Sequence, residues 1–147
     1  MTVLIDYDII SDGEIDLKLN EKYEGDKEKG FVPEYKFLIL LHKNKEIIGH
    51  INFRIGNTEK IIKYIGHIGY GINEEFRGKK YSAKACNLIK GIAVENNLNT
   101  LIITCNPNNY SSRRICEYIG AELIETINVP EEIGDKDKQK CRYEWKI

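Results

Sequence analysis

The chain has 147 residues, 41% of them hydrophobic, enough for one domain with a real core and too few for two independently stable ones. Its 22 basic and 23 acidic residues leave a formal charge of −1, which excludes a global positive field for nucleic acid or an anionic bilayer and makes any anion site local. The longest apolar run, FLILL at Phe37 to Leu41, falls far short of the roughly 20 residues that span a membrane. The opening MTVLIDYD lacks the pattern of a secretory leader, so a cytoplasmic protein without a membrane or nucleic-acid partner is expected.

In chain order, KYEGDKEKG closes the first thirty residues as an exposed loop or a helix end. Residues 37–53, FLILLHKNKEIIGHINF, are two β-rich runs around a polar turn and predict a hairpin. A turn at GNTEK then leads to a β-rich segment from Ile61 to Ile72. From Tyr81 the apolar residues recur at helical spacing (Ala85, Leu88, Ile89, Ile92, Ala93), predicting a one-faced helix over Ser82–Asn96. LIITC at Leu101–Cys105 reads as a central strand, and strand, helix, strand makes a crossover unit with parallel strands. NPNNYSSRRICEYIG supplies a turn and a short helix that stops at Gly120. AELIETINV and CRYEWKI form the closing hairpin, whose charged turn PEEIGDKDKQK is solvated.

The four cysteines at 86, 105, 116 and 141 are too widely spaced for a metal knuckle or a redox pair and read as reduced, buried small hydrophobes. No metal cluster is expected, since His42 and His50 flank a turn without an acidic partner obliged to join them.

GHIGYGINEEFRGKKYS, Gly66 to Ser82, is the chemically distinctive stretch. A loop entering a helix leaves backbone N–H groups unpaired. Gly78 lets the turn close tightly; Arg77, Lys79 and Lys80 add charge, and Ser82 can cap or donate. The local pattern fits a phosphate or pyrophosphate site as well as a solvated basic turn. It is neither a GxxxxGK nucleotide loop nor a GxGxxG dinucleotide fingerprint, because the run from Gly69 reads GYGINE. Gly66, Gly69 and Gly71 lie in the preceding strand, where they permit a bulge or a close approach.

RGKKYS, between the strand HIGYGI and a helix, resembles the acyl-CoA pyrophosphate loop of the GNAT superfamily of N-acetyltransferases. Arg77 fits the first position of that pattern, whereas Lys80 replaces the internal glycine and Ser82 the final small residue. TCNPNNYSSRRICEYIGAEL is similar to a second segment, in which an asparagine, two residues and a serine precede the last helix; Asn109 and Ser112 match. Together, over residues 36–125, these resemble a bacterial subgroup of uncharacterised predicted acetyltransferases.

The resemblance implies a mixed α/β fold: a mostly antiparallel central sheet flanked by helices, with a splayed parallel strand pair forming an acyl-CoA wedge. It implies acetyl-CoA as the acyl donor and the primary amine of a small molecule or peptide as the acceptor. In that frame the backbone of Gly71, Ile72 and Asn73 pairs with the pantetheine arm, and the N–H groups from Lys79 through Lys80 and Tyr81 to Ser82 meet the pyrophosphate. Asn109 and Ser112 approach from the opposite wall.

Thioester aminolysis benefits from a base of near-neutral pKa, and His67, beside Gly69 and Gly71, is the candidate, with a core role as the alternative. The family's proton-donating tyrosine falls at Cys116, which leaves Tyr110 as the candidate acid and Tyr70 and Tyr118 as substitutes. A nucleophilic Cys116 thiolate is the covalent alternative, and a non-catalytic acyl-CoA-binding or interaction module is the alternative function. Monomer and homodimer both remain open.

Overall fold

The computed structural model describes residues 3–147 and consists of eight strands and two α-helices. β1 (Ile10–Ser11), β2 (Ile15–Tyr23), β3 (Glu34–Leu41), β4 (Ile47–Arg54) and β5 (Ile68–Ile72) form one sheet in that order, every neighbouring pair antiparallel. β6 (Thr100–Cys105), β7 (Glu122–Asn128) and β8 (Gln139–Lys146) form a second antiparallel sheet in the order β6-β8-β7. Helix α1 (Tyr81–Glu95) connects β5 to β6, and α2 (Tyr110–Tyr118) follows β6.

The alternation in β3 and β4 puts Tyr35, Phe37, Ile39, Ile48, Ile51 and Phe53 in the core, where α1 lays Ala85, Cys86, Ile89, Ile92 and Ala93 against them. β6 and β8 complete this core with Leu101, Ile103, Tyr143 and Trp145, and the Trp145 indole N–H donates to Ile119 O at 3.1 Å. At the distant end of the first sheet, the buried carboxylate of Asp16 accepts from the Lys45 ammonium and from His42 Nδ1, tying β2 to the β3–β4 turn.

The structure departs from the sequence expectations in three places. β6, expected to be central, lies at the edge of its three-stranded sheet, its apolar side chains buried by the core instead. Residues 61–65 are a π-helical turn, closed by Gly66 N–H on Ile61 O at 2.8 Å, so only Ile68–Ile72 of the expected Ile61–Ile72 strand is extended. The parallel crossover pair is present without a parallel ladder: β5 and β6 belong to different sheets and meet at one end only.

Gly49 shows how tightly β4 and β5 are joined, since a Cβ there would lie 2.2 Å from Gly71 O. Because that neighbour is backbone in the middle of a ladder, Gly49→Ala is expected to lower the unfolding free energy by about 3 kcal/mol, measured by urea titration. An unchanged midpoint would contradict this packing.

Candidate active site

The site begins where the two sheets part. His67 N–H donates to Ile102 O at 2.7 Å, and Ile102 N–H donates to the imidazole Nδ1 of His67 at 2.8 Å. Nε2–H of the same ring donates to Asn57 Oδ1 at 3.0 Å, fixing the tautomer. Arg54 Nη1 donates to the carbonyls of Ile65 and Gly66, both at 3.2 Å. The His67 side chain therefore takes the Ile102 N–H that a continuing ladder would pair, Arg54 holds the carbonyls at the end of the turn before β5, and β5 leaves β6 from this point.

The backbone exposed by the split follows from strand parity. His67 O accepts from Arg54 N–H, and Asn73 N–H donates to Ile48 O, so odd-numbered residues of β5 turn their main chain toward β4. Tyr70 and Ile72 turn theirs into the gap. Of the Gly71–Asn73 backbone expected to meet a pantetheine arm, only Ile72 is so placed; Gly71 and Asn73 spend their amides inside the sheet.

Two cavities occupy the gap. The first, about 320 Å³, lies between the end of β5, the loop Phe76–Gly78, the start of α1 and the wall of α2. The second, about 460 Å³, lies on the other side, between β5, the end of β6 and the β7–β8 loop. Tyr70, Asn109 and Ser112 border both.

The first cavity is edged by hydrogen-bond donors. Lys84 N–H bonds to Lys80 O, which leaves the N–H groups of Tyr81, Ser82 and Ala83 without intrahelical acceptors; no side chain caps them and no acidic residue stands in the first turn. Arg77 Nε donates to Ile72 O at 2.9 Å, anchoring a guanidinium whose remaining N–H groups are available at the cavity. Gly78 and Lys80 both adopt left-handed backbone, with φ of 83° and 63°. At Lys80, where the resemblance has glycine, that conformation costs about 1 kcal/mol, which the exposed cation–π contact of its ammonium with Tyr118 only balances. Lys79 is solvent-exposed and outside the cavity lining.

On the α2 wall, Asn109 is the N-cap, its Oδ1 accepting from Ser112 N–H at 3.1 Å, and Ser112 Oγ lies 2.9 Å from the Tyr70 hydroxyl. That hydroxyl also lies 4.0 Å from Cys116 Sγ, so β5 delivers a phenol to the place on α2 where the resemblance has a tyrosine. Burial pushes the Tyr70 pKa far above the usual tyrosine range, and it stays protonated. Burial likewise pushes the Cys116 thiol up to about 12, which removes it as a thiolate nucleophile.

The two side chains expected to carry proton transfer are elsewhere. His67 is fully buried, borders neither cavity and has both ring nitrogens engaged; burial, aided by the nearby Arg54 charge, lowers its pKa to about 4. Tyr110, the first residue of α2, is 59% exposed and also borders neither cavity. Tyr70 is the tyrosine that borders both cavities, and its place in HIGYGI is its only sequence signal. Among the described residues no group of His, Cys, Asp and Glu could hold a metal ion, and no helix is long and apolar enough to cross a membrane.

The profile of the acetyltransferase (GNAT) domain family matches residues 10–122, most of the chain. The chain belongs to the GNAT acetyltransferase family. It is 34% identical over 99 residues to YnaD of Bacillus subtilis strain 168, described as an uncharacterized N-acetyltransferase; the match covers 64% of this chain and 53% of YnaD. The chain thus spans about half the length of that relative. Among solved structures, a GNAT-family acetyltransferase from Bacillus anthracis is 25% identical with a TM-score of 0.58, over 76% of this chain and 65% of that one. RimL, the ribosomal L7/L12 α-N-protein acetyltransferase solved with coenzyme A, shares the GNAT fold at 14% identity and a TM-score of 0.70, over 95% of this chain and 98% of that one.

The buried neutral imidazole gives the family wedge a pH dependence in this chain. Because the folded pKa of His67 lies below the unfolded one, the unfolded chain takes up the extra proton, and stability present above pH 6.5 is lost as pH falls toward 4. Urea titrations at both pH values are expected to show about 3 kcal/mol more loss in the native protein than in His67→Gln, which keeps an acceptor and does not titrate. Parallel losses in the two proteins would contradict the assignment.

Proposed function

We propose that the protein transfers an acetyl group from acetyl-CoA to a primary amine of a small molecule or peptide. The carrying observation is the first cavity: an uncapped N-terminus of α1, flanked by Arg77 and Lys80, opens onto a gap edged by the main chain of Tyr70 and the N–H of Ile72, whose carbonyl anchors Arg77. That sequence of donors suits a pyrophosphate followed by an amide-bearing arm. Coenzyme A in RimL, and acetyl-CoA with AMP in the microcin C7 self-immunity acetyltransferase MccE, support the same class of donor.

Acetyl-CoA supplies an activated thioester. The N–H groups of Tyr81 to Ala83 and the Arg77 guanidinium hold its pyrophosphate, and the main chain of Tyr70 and Ile72 orients the arm, which ends beside Tyr70, Asn109 and Ser112. The second cavity admits the amine to the same place from the opposite side, so donor and acceptor need not compete for one entrance. As the nitrogen–carbon bond forms and the carbon–sulfur bond breaks, the amine proton leaves to water in the second cavity. With its raised pKa, Tyr70 serves the departing sulfur as a hydrogen-bond donor, and the thiolate takes its proton from solvent. Neither His67 nor Cys116 enters the reaction.

Calorimetric titration with acetyl-CoA is expected to show binding that Arg77→Ala weakens about tenfold or more. Release of CoA in the presence of an amine panel is expected to fall about 100-fold in Tyr70→Phe, with acetyl-CoA affinity unchanged. No binding by the folded native protein would overturn the donor assignment, and binding without turnover on any amine would favour the non-catalytic module.

A further inference from the structure

The first cavity accounts for the middle of an acetyl-CoA molecule but is too small for all of it; the adenosine 3′-phosphate end must lie outside, on the lip. One feature of that lip is unexplained by the fold. Tyr118, in the last turn of α2, is 59% exposed, and the ammonium of Lys80, reaching from the start of α1, sits 4.3 Å from its ring centroid. The contact therefore joins the two helices beside the cavity, which Lys80 lines. Ser111 and Ile115 line the α2 wall of the cavity, and Tyr118 lies one turn beyond Ile115 on the same face, so the aromatic ring continues that wall outward.

Nothing in the folding of the chain calls for this arrangement. Lys80 stands at a left-handed position that glycine would take more cheaply, and it makes no ion pair among the described residues. An exposed phenol ring gains little by leaving its face open to solvent. A flat, electron-rich ring with a cation over it, beside a cavity edged by hydrogen-bond donors, matches a ligand that carries a purine and a phosphate together.

We propose that Tyr118 and Lys80 clasp the nucleotide end of acetyl-CoA, the purine stacking on the Tyr118 ring and the Lys80 ammonium moving from that ring to a phosphate. The inference rests on acetyl-CoA being the donor. It makes the clasp a source of affinity and of selection for CoA over shorter phosphopantetheine thioesters, and it gives a reason for lysine at position 80.

The test is equilibrium binding of two probes, acetyl-CoA and S-acetyl-4′-phosphopantetheine, which keeps the thioester arm and one phosphate but lacks the adenosine. Tyr118→Ala is expected to weaken acetyl-CoA binding about tenfold while leaving the truncated thioester within twofold of native, and Tyr118→Phe is expected to bind both as native does. Lys80→Gly should weaken acetyl-CoA more than the truncated probe while raising or preserving the thermal midpoint. Equal losses for the two probes, or no loss with acetyl-CoA in Tyr118→Ala, would overturn the clasp and leave a surface cation–π pair only. Failure of the native protein to bind either probe would instead overturn the donor assignment on which the clasp rests. Tyr118 is exposed, so its truncation does not put the fold at risk.

Discussion

The wedge depends on a substitution of side chains for backbone at one point. Where β5 and β6 separate, the imidazole of His67 accepts the Ile102 N–H, and the Arg54 guanidinium serves the carbonyls of Ile65 and Gly66. Buried backbone groups must be paired, so two parallel strands can part inside a protein only if something else takes the bonds they give up. Gly66 allows the close approach this needs: with φ at 72°, it sits where a Cβ would meet Ile102 O at 2.8 Å. His67 thus serves the site by holding it open, and a neutral, buried ring suits that role better than a titrating one.

The rest of the site consists of bonding capacity left unused beyond the split. α1 begins without a side-chain cap, Tyr70 and the N–H of Ile72 present main-chain groups to the gap, and Asn109, its carbonyl oxygen bonded to Ser112 N–H, borders both cavities. Each would be a defect in a closed core; together they line the gap in which the proposed acetyl-CoA arm would lie. The exchange of Cys116 and Tyr70 follows the same logic. A small thiol on α2 leaves room, and the phenol of β5 fills it with its hydroxyl on Ser112.

Much of this was legible in the chain. The apolar period of α1 and the run LIITC place α1 and β6 within a residue or two of their bounds, whereas β5 begins seven residues later than the β-rich segment from Ile61 suggests. Two side-chain placements were not legible. Counting back by twos from Gly71 sets His67 on the cleft side, but the backbone at His67 donates toward β6 and accepts from β4, breaking the parity that the count assumes. Tyr110 is adjacent to Asn109 in sequence, yet it starts a helix whose cavity-facing residues are Ser111, Ser112 and Ile115, and that rotation is set by packing of α2 on the core. The short π-helical turn at residues 61–65 carries strand-like residues and is held by contacts distant in sequence, including Arg142 to Ile62 O.

β5 and β6 are pinned at His67 and part beyond it, where the proposed acyl-CoA arm would lie. Amide hydrogen exchange, followed by NMR with and without saturating acetyl-CoA, reports on both the pin and the gap residue by residue. The expected result is strong protection of the His67 and Ile102 amides throughout, with Tyr70 and Ile72 exchanging fast in the free protein and slowly once the ligand is bound. Protection of Tyr70 and Ile72 in the free protein would mean that the gap is closed, and exchange unaltered by bound ligand would mean that the arm lies elsewhere.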